Sequence, residues 1–296
     1  MRILVTGGAG FIGSAFMSKL LTEGHTPTSF DLKPSPVGDE GIIGDILDQD
    51  AVDNAVKRTD RVFHFAAAAD LNYCAAHSQK AIDLNVRGTH TFAKACAKYA
   101  VPLHFASTCC VYGDTPDHPS DESSIPVPTE IYAVTKIAAE EILKEYAAKK
   151  YLPYTILRLG TTYGSGMRGA LAIYWWITEA AKGVPLTIHG TGEQTRSMIY
   201  IDDLVEALYK VATSRITNMT LNLTRPEEKS VLETAGLVNK LMDRTPDNIW
   251  FTDDRPGQIM KESININKAS TLLNWFPHTS LEEGIRKTIP WVLEQN

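Results

Sequence analysis

The first thirteen residues constrain the fold more than any other part of the chain. An apolar run, Arg2–Thr6, leads directly into the sequence TGGAGFIG, in which Gly7, Gly10 and Gly13 open a helical pattern. Glycines at this spacing let the chain turn tightly, let its backbone approach a pyrophosphate, and let the helix pack on the strand. The free amides of the first helical turn then face the phosphates. The segment therefore predicts a dinucleotide site.

An acidic residue at the end of the second apolar run indicates which dinucleotide binds. Asp31 can accept hydrogen bonds from both hydroxyls of the adenosine ribose, and it would repel the 2′-phosphate of NADP. This position favours NAD as the cofactor. Lys33 lies two residues further on and leaves NADP as the alternative.

Strand-like and helical patterns alternate along the first half of the chain. Strands are predicted at residues 2–6, 27–31, 41–44, 61–66, 102–108 and 154–160, and helices at 12–23, 51–57, 82–99 and 132–149. Because parallel strands need crossover connections, this alternation predicts an α/β fold: a Rossmann-like doubly wound parallel sheet with a smaller α/β substrate-binding lobe. We predict that residues 1–160 and 196–215 form the NAD-binding domain. Residues 161–195 and 216–296 are predicted to form the lobe.

Composition excludes several classes of protein. The formal net charge is −6, and Lys and Arg are not clustered, which argues against nucleic-acid binding. No apolar run is long enough to span a bilayer, so we expect no membrane partner. The four cysteines have neither the spacing of a disulfide framework nor that of a metal site. We therefore expect no metal ion and a cytoplasmic location.

A second motif lies near the middle of the chain. Tyr132 and Lys136 are four residues apart at the start of a predicted helix, so both side chains share one face. A nearby ammonium group lowers the pKa of a phenol. Thr108 ends a predicted strand, and ligands of open α/β sheets bind beyond such strand ends. The three residues predict a catalytic site, although an exposed helix face is the alternative for the Tyr–Lys spacing alone.

These motifs together resemble the extended short-chain dehydrogenases/reductases of the NAD-dependent epimerase/dehydratase family, in particular its nucleotide-sugar epimerases. The resemblance runs nearly from end to end. Further motifs that carry it are HFAA at 64–67, NVRGT at 85–89, QTR at 194–196, YIDD at 200–203 and RPG at 255–257.

The resemblance implies a role for individual residues. Tyr132 would be the acid/base, Lys136 would hold the nicotinamide ribose, and Thr108 would bind the reacting oxygen. The cofactor would contact Tyr132, Lys136, Gly7, Gly10, Phe11, Ile12, Gly13, Asp31, Asp45, Ile46, Ala66 and Asn85. Arg196 and Arg255 would grip the nucleotide diphosphate of the substrate, for which a planar guanidinium is suited; surface charges are the alternative interpretation.

Two adjacent cysteines bear on the reaction. Family members that dehydrate carry an Asp-Glu pair after the Ser/Thr position, and decarboxylating members keep the Glu, whereas this chain has Cys109 and Cys110 there. Thiols cannot replace such carboxylates, which disfavours both reactions. Cys110 also matches the acid/base cysteine of GDP-sugar 3,5-epimerases; an inert cysteine at a strand end is the alternative.

Two further positions bear on the sugar. The resemblance implies inversion of carbon 4 of a UDP-hexose such as UDP-glucose or UDP-galactose. Thr161 and Arg168, however, match the Thr and Arg of UDP-glucuronate 4-epimerases, where Arg suits a carboxylate. Contact with a phosphate, or a place on the loop surface, are the alternatives for Arg168. A 4-keto-sugar reductase and a non-catalytic regulator are the rival classes. The resemblance also implies a homodimer formed through the helices predicted at 82–99 and 132–149.

Overall fold

The computed structural model describes residues 1–39, 41–115, 118–169, 171–254 and 257–295. Its strands are β1 (Arg2–Thr6), β2 (Thr26–Asp31), β3 (Ile42–Ile43), β4 (Arg61–His64), β5 (Leu103–Thr108), β6 (Tyr154–Leu159), β7 (Thr161–Tyr163), β8 (Leu186–His189), β9 (Thr195–Tyr200), β10 (Met219–Leu223), β11 (Glu228–Ser230) and β12 (Ile249–Thr252). Its helices are α1 (Phe11–Thr22), α2 (Gln49–Val56), α3 (Leu71–Ala76), α4 (Ser78–Ile82), α5 (Gly88–Tyr99), α6 (Ile131–Lys150), α7 (Ala172–Lys182), α8 (Ile201–Thr213), α9 (Val231–Leu241), α10 (Asn267–Leu273) and α11 (Leu281–Glu294).

The central sheet has the strand order β10-β6-β5-β4-β1-β2-β3. All of its neighbouring strands run parallel. The order reverses direction between β1 and β4, and ligands of doubly wound sheets bind beyond the strand ends at such a switch point. The predicted Rossmann-like doubly wound sheet is thus confirmed.

Both faces of the central sheet are buried, as the apolar composition of β1 requires. Ile3 and Val5 belong to the core that includes α1 and α8, whereas Leu4 belongs to the core that includes α2, α5 and α6. Side chains alternate between the two faces of a strand, so successive apolar residues serve the two helical layers. This arrangement holds the carboxyl end of β1, and the glycine run after it, in a fixed place.

The remaining strands form smaller sheets. β9 pairs in parallel with β7 and antiparallel with β11, and β8 pairs in parallel with β12. β10 lies beyond the domain boundary predicted at residue 215, yet it pairs with β6 in the central sheet. β9 lies almost entirely within the segment predicted for the NAD-binding domain, residues 196–215, and it pairs with strands outside the central sheet. These pairings join segments far apart in the chain, which local patterns do not reveal.

The helix predicted at residues 82–99 is interrupted. A π-helical turn, Asp83–Arg87, separates α4 from α5. Inside this turn the Asn85 side chain donates to the carbonyl oxygen of Ala68 (2.9 Å) and accepts from its amide (2.8 Å). Such turns are frequent at functional sites, and this one fixes the loop after β4. Within the described ranges, no helix is long and apolar enough to cross a membrane.

Candidate active site

A cavity of about 490 Å³ opens beyond the carboxyl ends of β1, β4 and β5, a volume typical of ligand sites. Most of the residues assigned to the site from the sequence form its wall. These are Gly7, Gly10, Phe11, Ile12, Gly13, Asp31, Asp45, Ile46, Ala66, Thr108, Cys110, Tyr132, Lys136, Thr161 and Arg168.

The glycine run forms one end of the cavity and leaves room for a phosphate. Gly7 has a φ of +69°, a conformation that other residues adopt only with strain. A Cβ atom on Gly13 would overlap the carbonyl oxygen of Gly7, so the close contact between the turn and α1 requires glycine. Since the first turn of α1 lines the cavity, its amides and the helix dipole favour an anion there. These residues fit the pyrophosphate of a dinucleotide.

Two carboxylates lie on the cavity wall at the end where the adenosine of the cofactor is predicted to bind. Asp31 accepts hydrogen bonds from the amides of Ala9 (3.1 Å) and Lys33 (3.3 Å), which hold its carboxylate at the cavity wall. Asp45 accepts from the amide of Leu47 (2.9 Å) and also lies on the wall. An anchored carboxylate at the end of β2 suits the ribose hydroxyls of NAD and repels a 2′-phosphate.

Thr108, Tyr132 and Lys136 meet at the other end of the cavity. Thr108 is the last residue of β5, and the other two lie in the first turns of α6. Lys136 is 2% exposed, and its Nζ donates to the carbonyl oxygen of Ala106 (2.8 Å). Its Nζ also lies 5.8 Å from the centre of the Tyr132 ring. The structure therefore brings the phenol, the ammonium and the hydroxyl together.

Several groups act on the phenol of Tyr132. Burial raises the pKa of its phenol, while Arg168 and a hydrogen bond with Thr108 act in the opposite direction. Arg168 thus lies close enough to act on the phenol of Tyr132. The lowering of this pKa by Lys136, which the family resemblance implies, stays a prediction.

The two cysteines are placed differently. Cys109 is buried, and its Sγ donates to the carbonyl oxygen of Arg158 (3.4 Å), whereas Cys110 lines the cavity. Burial raises the pKa of Cys110 to about 12, and the charge of Glu262 adds to this effect. Cys110 is therefore a protonated thiol near neutral pH and a poor base.

Glu262 is a buried carboxyl group that the sequence did not single out. It is 2% exposed, and its Oε1 accepts from the amide of Ser197 (3.3 Å). Burial raises its pKa to about 7, while the charge of Arg196 lowers it. Glu262 does not lie on the cavity wall. No local signal predicts this position, since Glu262 reaches β9 from a segment distant in the chain.

Two predicted residues, Asn85 and Arg196, do not lie on the cavity wall. Asn85 is buried behind the wall, where it holds Ala68 and donates to Thr135 Oγ1 (2.9 Å). Arg196 donates from Nη1 to its neighbour's carbonyl oxygen (2.8 Å) and to that of Ile259 (2.7 Å). Arg255 lies outside the described residues.

A protein-family model matches most of the chain. The model named NAD dependent epimerase/dehydratase family matches residues 3–223, which include the glycine run, the wall of the cavity and the Tyr–Lys pair. The chain belongs to this family. Its membership confirms the resemblance, makes the protein an NAD-dependent enzyme, and agrees with the fit of the glycine run and Asp31 to NAD.

Relatives of this epimerase/dehydratase chain carry out several reactions. UDP-glucuronic acid decarboxylase 1 of Danio rerio is 32% identical over 303 residues, which cover 98% of this chain and 72% of the relative. The dTDP-glucose 4,6-dehydratase of Mycolicibacterium smegmatis is 31% identical over 307 residues, or 98% of this chain and 93% of the relative. Overall identity therefore leaves the reaction of this family member open.

Solved structures of similar family members contain NAD and UDP-sugars. MoeE5 in complex with UDP-glucuronic acid and NAD has a TM-score of 0.94 and 29% identity, over 100% of both chains. The UDP-glucuronic acid 4-epimerase from Bacillus cereus, with the same two ligands, has a TM-score of 0.93 and 28% identity, also over 100% of both chains. The UDP-glucose 4-epimerase from Thermotoga maritima, with UDP-glucose, has a TM-score of 0.93 and 27% identity, over 100% of this chain and 99% of that one. NAD is the cofactor of this epimerase/dehydratase family enzyme.

Proposed function

We propose that the protein inverts carbon 4 of a UDP-hexose or UDP-hexuronate. The observation that carries this proposal is the distribution of acidic groups around the cavity. Among the described residues, the carboxylates on its wall are Asp31 and Asp45, and both lie at the adenosine end. Next to Tyr132, where dehydrating and decarboxylating relatives need a carboxylate, the wall carries the protonated thiol of Cys110.

The residues that are present match what carbon-4 epimerisation needs. Tyr132 takes the proton from the 4-hydroxyl, Thr108 donates a hydrogen bond to the same oxygen, and the charge of Lys136 favours the phenolate. Bound NAD would supply the acceptor for the hydride of carbon 4 and the donor that returns it. Between the two hydride transfers the 4-keto sugar rotates, so that the hydride returns to the opposite face of carbon 4. Tyr132 then returns the proton to the oxygen. No carboxylate beside carbon 4 is required.

A hexuronate is favoured by the position of Arg168. Its guanidinium lies on the cavity wall, close enough to the phenol of Tyr132 to lower the pKa of that group. A phosphate of the substrate would lie away from the reacting carbon, whereas the carboxylate on carbon 5 is adjacent to carbon 4. A planar guanidinium binds a carboxylate with two parallel hydrogen bonds. Thr161 lies on the same wall and agrees with this proposal.

Product analysis tests the proposal directly. The purified protein is incubated separately with UDP-galactose and UDP-galacturonate, without and then with added NAD, and the products are separated by chromatography. Conversion to the 4-epimer supports the proposal, and the sugar that reacts shows whether Arg168 binds a carboxylate. A 4-keto-6-deoxy product, loss of carbon dioxide, or net consumption of NADPH would instead indicate a dehydratase, a decarboxylase or a reductase.

The assembly and location of the protein stay predictions. We propose a homodimer formed through α5 and α6, which pack against each other on one face of the sheet. Light scattering after gel filtration measures the mass directly, and a mass of one chain contradicts the dimer. A cytoplasmic location is expected from the sequence, and fractionation of the source cell checks it.

A further inference from the structure

One buried acidic residue lies on the catalytic face of α6 and has no part in the proposed reaction. Glu140 follows Lys136 by four residues and Tyr132 by eight, so the three side chains form one row along the helix. Glu140 is 1% exposed and does not lie on the cavity wall. Burying a carboxylate so completely is costly unless it is paired, so its partners are informative.

The partners of Glu140 connect it to the cavity. Ser107, which lies on the cavity wall beside Thr108, donates from Oγ to Glu140 Oε1 (2.5 Å). Arg158 donates from Nε to the same oxygen (3.0 Å) and from Nη2 to Oε2 (2.7 Å). The carboxylate therefore joins α6 to the ends of β5 and β6.

The network continues on the far side of the guanidinium. Arg158 Nη1 donates to the hydroxyl of Tyr112 (2.9 Å), which donates to Asn222 Oδ1 in β10 (2.7 Å). These groups are buried, and each has a partner of suitable geometry. A buried network satisfied in this way is rigid, because any displacement leaves a polar group without a partner.

Glu140 lies four residues from Lys136 on the same face of α6, and its charge acts on that ammonium group. Burial lowers the pKa of Lys136 to about 8, and Cys74 and Glu140 raise it. Burial raises the pKa of Cys74, so this thiol is neutral near neutral pH. His64 is also neutral there, because burial lowers its pKa to about 3. Glu140 is ion-paired with Arg158, so it is the charged group among those that raise the pKa of Lys136.

We propose that Glu140 is a positioning residue for the Tyr132–Lys136 pair. Through Ser107 it holds α6 against the end of β5, and its charge keeps Lys136 in the ammonium form. The part of this proposal that concerns the reaction of a sugar rests on the proposed function. The part that concerns the charge of Lys136 is independent of it. The proposal can therefore be tested without a substrate.

The test is a titration of Lys136 by NMR in protein with ¹³C-labelled lysine, with the signal assigned from a Lys136→Arg variant. Glu140→Gln keeps the shape of the side chain and removes its charge. Glu141→Gln is the matched control: it makes the same change one residue along α6, in an exposed side chain paired with Lys144 (2.6 Å). We expect the midpoint for Lys136 to fall by about one pH unit or more in Glu140→Gln. It should stay unchanged in Glu141→Gln and recover largely in Glu140→Asp.

An unchanged midpoint in folded Glu140→Gln overturns the proposal, and so does an equal shift in Glu141→Gln. If Glu140→Gln does not fold, Ser107→Ala tests the link to β5 while leaving the ion pair in place. We expect the rate at which a UDP-sugar reduces bound NAD to fall several-fold in Ser107→Ala and to recover in Ser107→Thr, which keeps the hydroxyl. A Ser107→Ala rate equal to that of the unmodified protein contradicts the positioning role. If the unmodified protein converts neither UDP-galactose nor UDP-galacturonate, the proposed function alone is refuted, because the titration of Lys136 uses no sugar.

Discussion

Arg168 donates from Nη2 to the carbonyl oxygen of Ala69, 3.2 Å away. Both residues lie on the cavity wall, so this contact holds the guanidinium in the loop after β7 against the loop after β4. The side chain stays exposed, and its remaining donors are available to a ligand. The contact therefore holds a positive charge on the cavity wall, close enough to Tyr132 to act on its phenol.

Replacing Arg168 separates the two candidate sugars. In Arg168→Met, we expect kcat/KM for UDP-galacturonate to fall about 10- to 100-fold, because a charge-assisted hydrogen bond is lost. Turnover of UDP-galactose should change much less. Arg286→Met, at an exposed arginine paired with Glu282, is the control. Equal losses with both sugars would mean that Arg168 contacts the nucleotide diphosphate instead.

Removing the hydroxyl of Tyr132 tests the acid/base role. We expect Tyr132→Phe to lower kcat by about 10²- to 10⁴-fold, because the proton of the 4-hydroxyl loses its acceptor. NAD binding, measured by fluorescence or calorimetry, should change little. Tyr151→Phe alters a tyrosine just after the same helix that is 88% exposed, and it should behave as the unmodified protein. Retained turnover in Tyr132→Phe would contradict the assignment.

Cys110 distinguishes inversion at carbon 4 from inversion at carbons 3 and 5. Carbon-4 inversion does not use the thiol, so we expect Cys110→Ser to keep its turnover within a small factor. Cys96→Ser, in the core that includes α5, controls for the general effect of replacing a buried thiol. A loss specific to Cys110→Ser, together with uptake of solvent deuterium at carbon 3 or 5, would move the reaction to those carbons.

The affinity for NAD should depend on pH through Lys136. Burial lowers the pKa of this group to about 8 in the protein without a cofactor. The ammonium is present below that pH and attracts the anionic dinucleotide; it is lost as the pH rises. We therefore expect NAD to bind more weakly as the pH rises through about 8, as calorimetry on NAD-free protein will show. The dependence should disappear in Lys136→Met, and an identical profile in that variant would assign it to another group.

The Glu140–Arg158 pair should matter for stability as well. Arg158→Met leaves the Glu140 carboxylate buried without its ion-pair partner, and we expect the free energy of unfolding to fall by about 3–5 kcal/mol. Breaking the exposed Arg286–Glu282 pair in Arg286→Met should cost less than about 1 kcal/mol. Urea denaturation measures both. Similar losses in the two variants would show that the buried pair contributes no more than a surface one.

Local patterns determined the parts of the site that depend on neighbours in the chain. The glycine run, the acidic residue at the end of β2 and the Tyr–Lys spacing on α6 all act over a few residues. In these segments, backbone geometry and side-chain direction follow from residue type. The NAD site and the meeting of Thr108, Tyr132 and Lys136 were therefore predictable, because parallel strands bring their carboxyl ends to one edge of a sheet.

Only the tertiary structure decided which distant segments meet. It placed β10 beside β6, buried Asn85 behind the wall, and brought Glu262 from near the end of the chain to β9. It also paired Glu140 with Arg158 and set Arg168 against the loop after β4. These contacts arise from packing and long-range pairing, whose free energy depends on the whole fold rather than on any local pattern. The sequence alone thus indicated a cofactor and a catalytic pair, while packing decided what surrounds that pair.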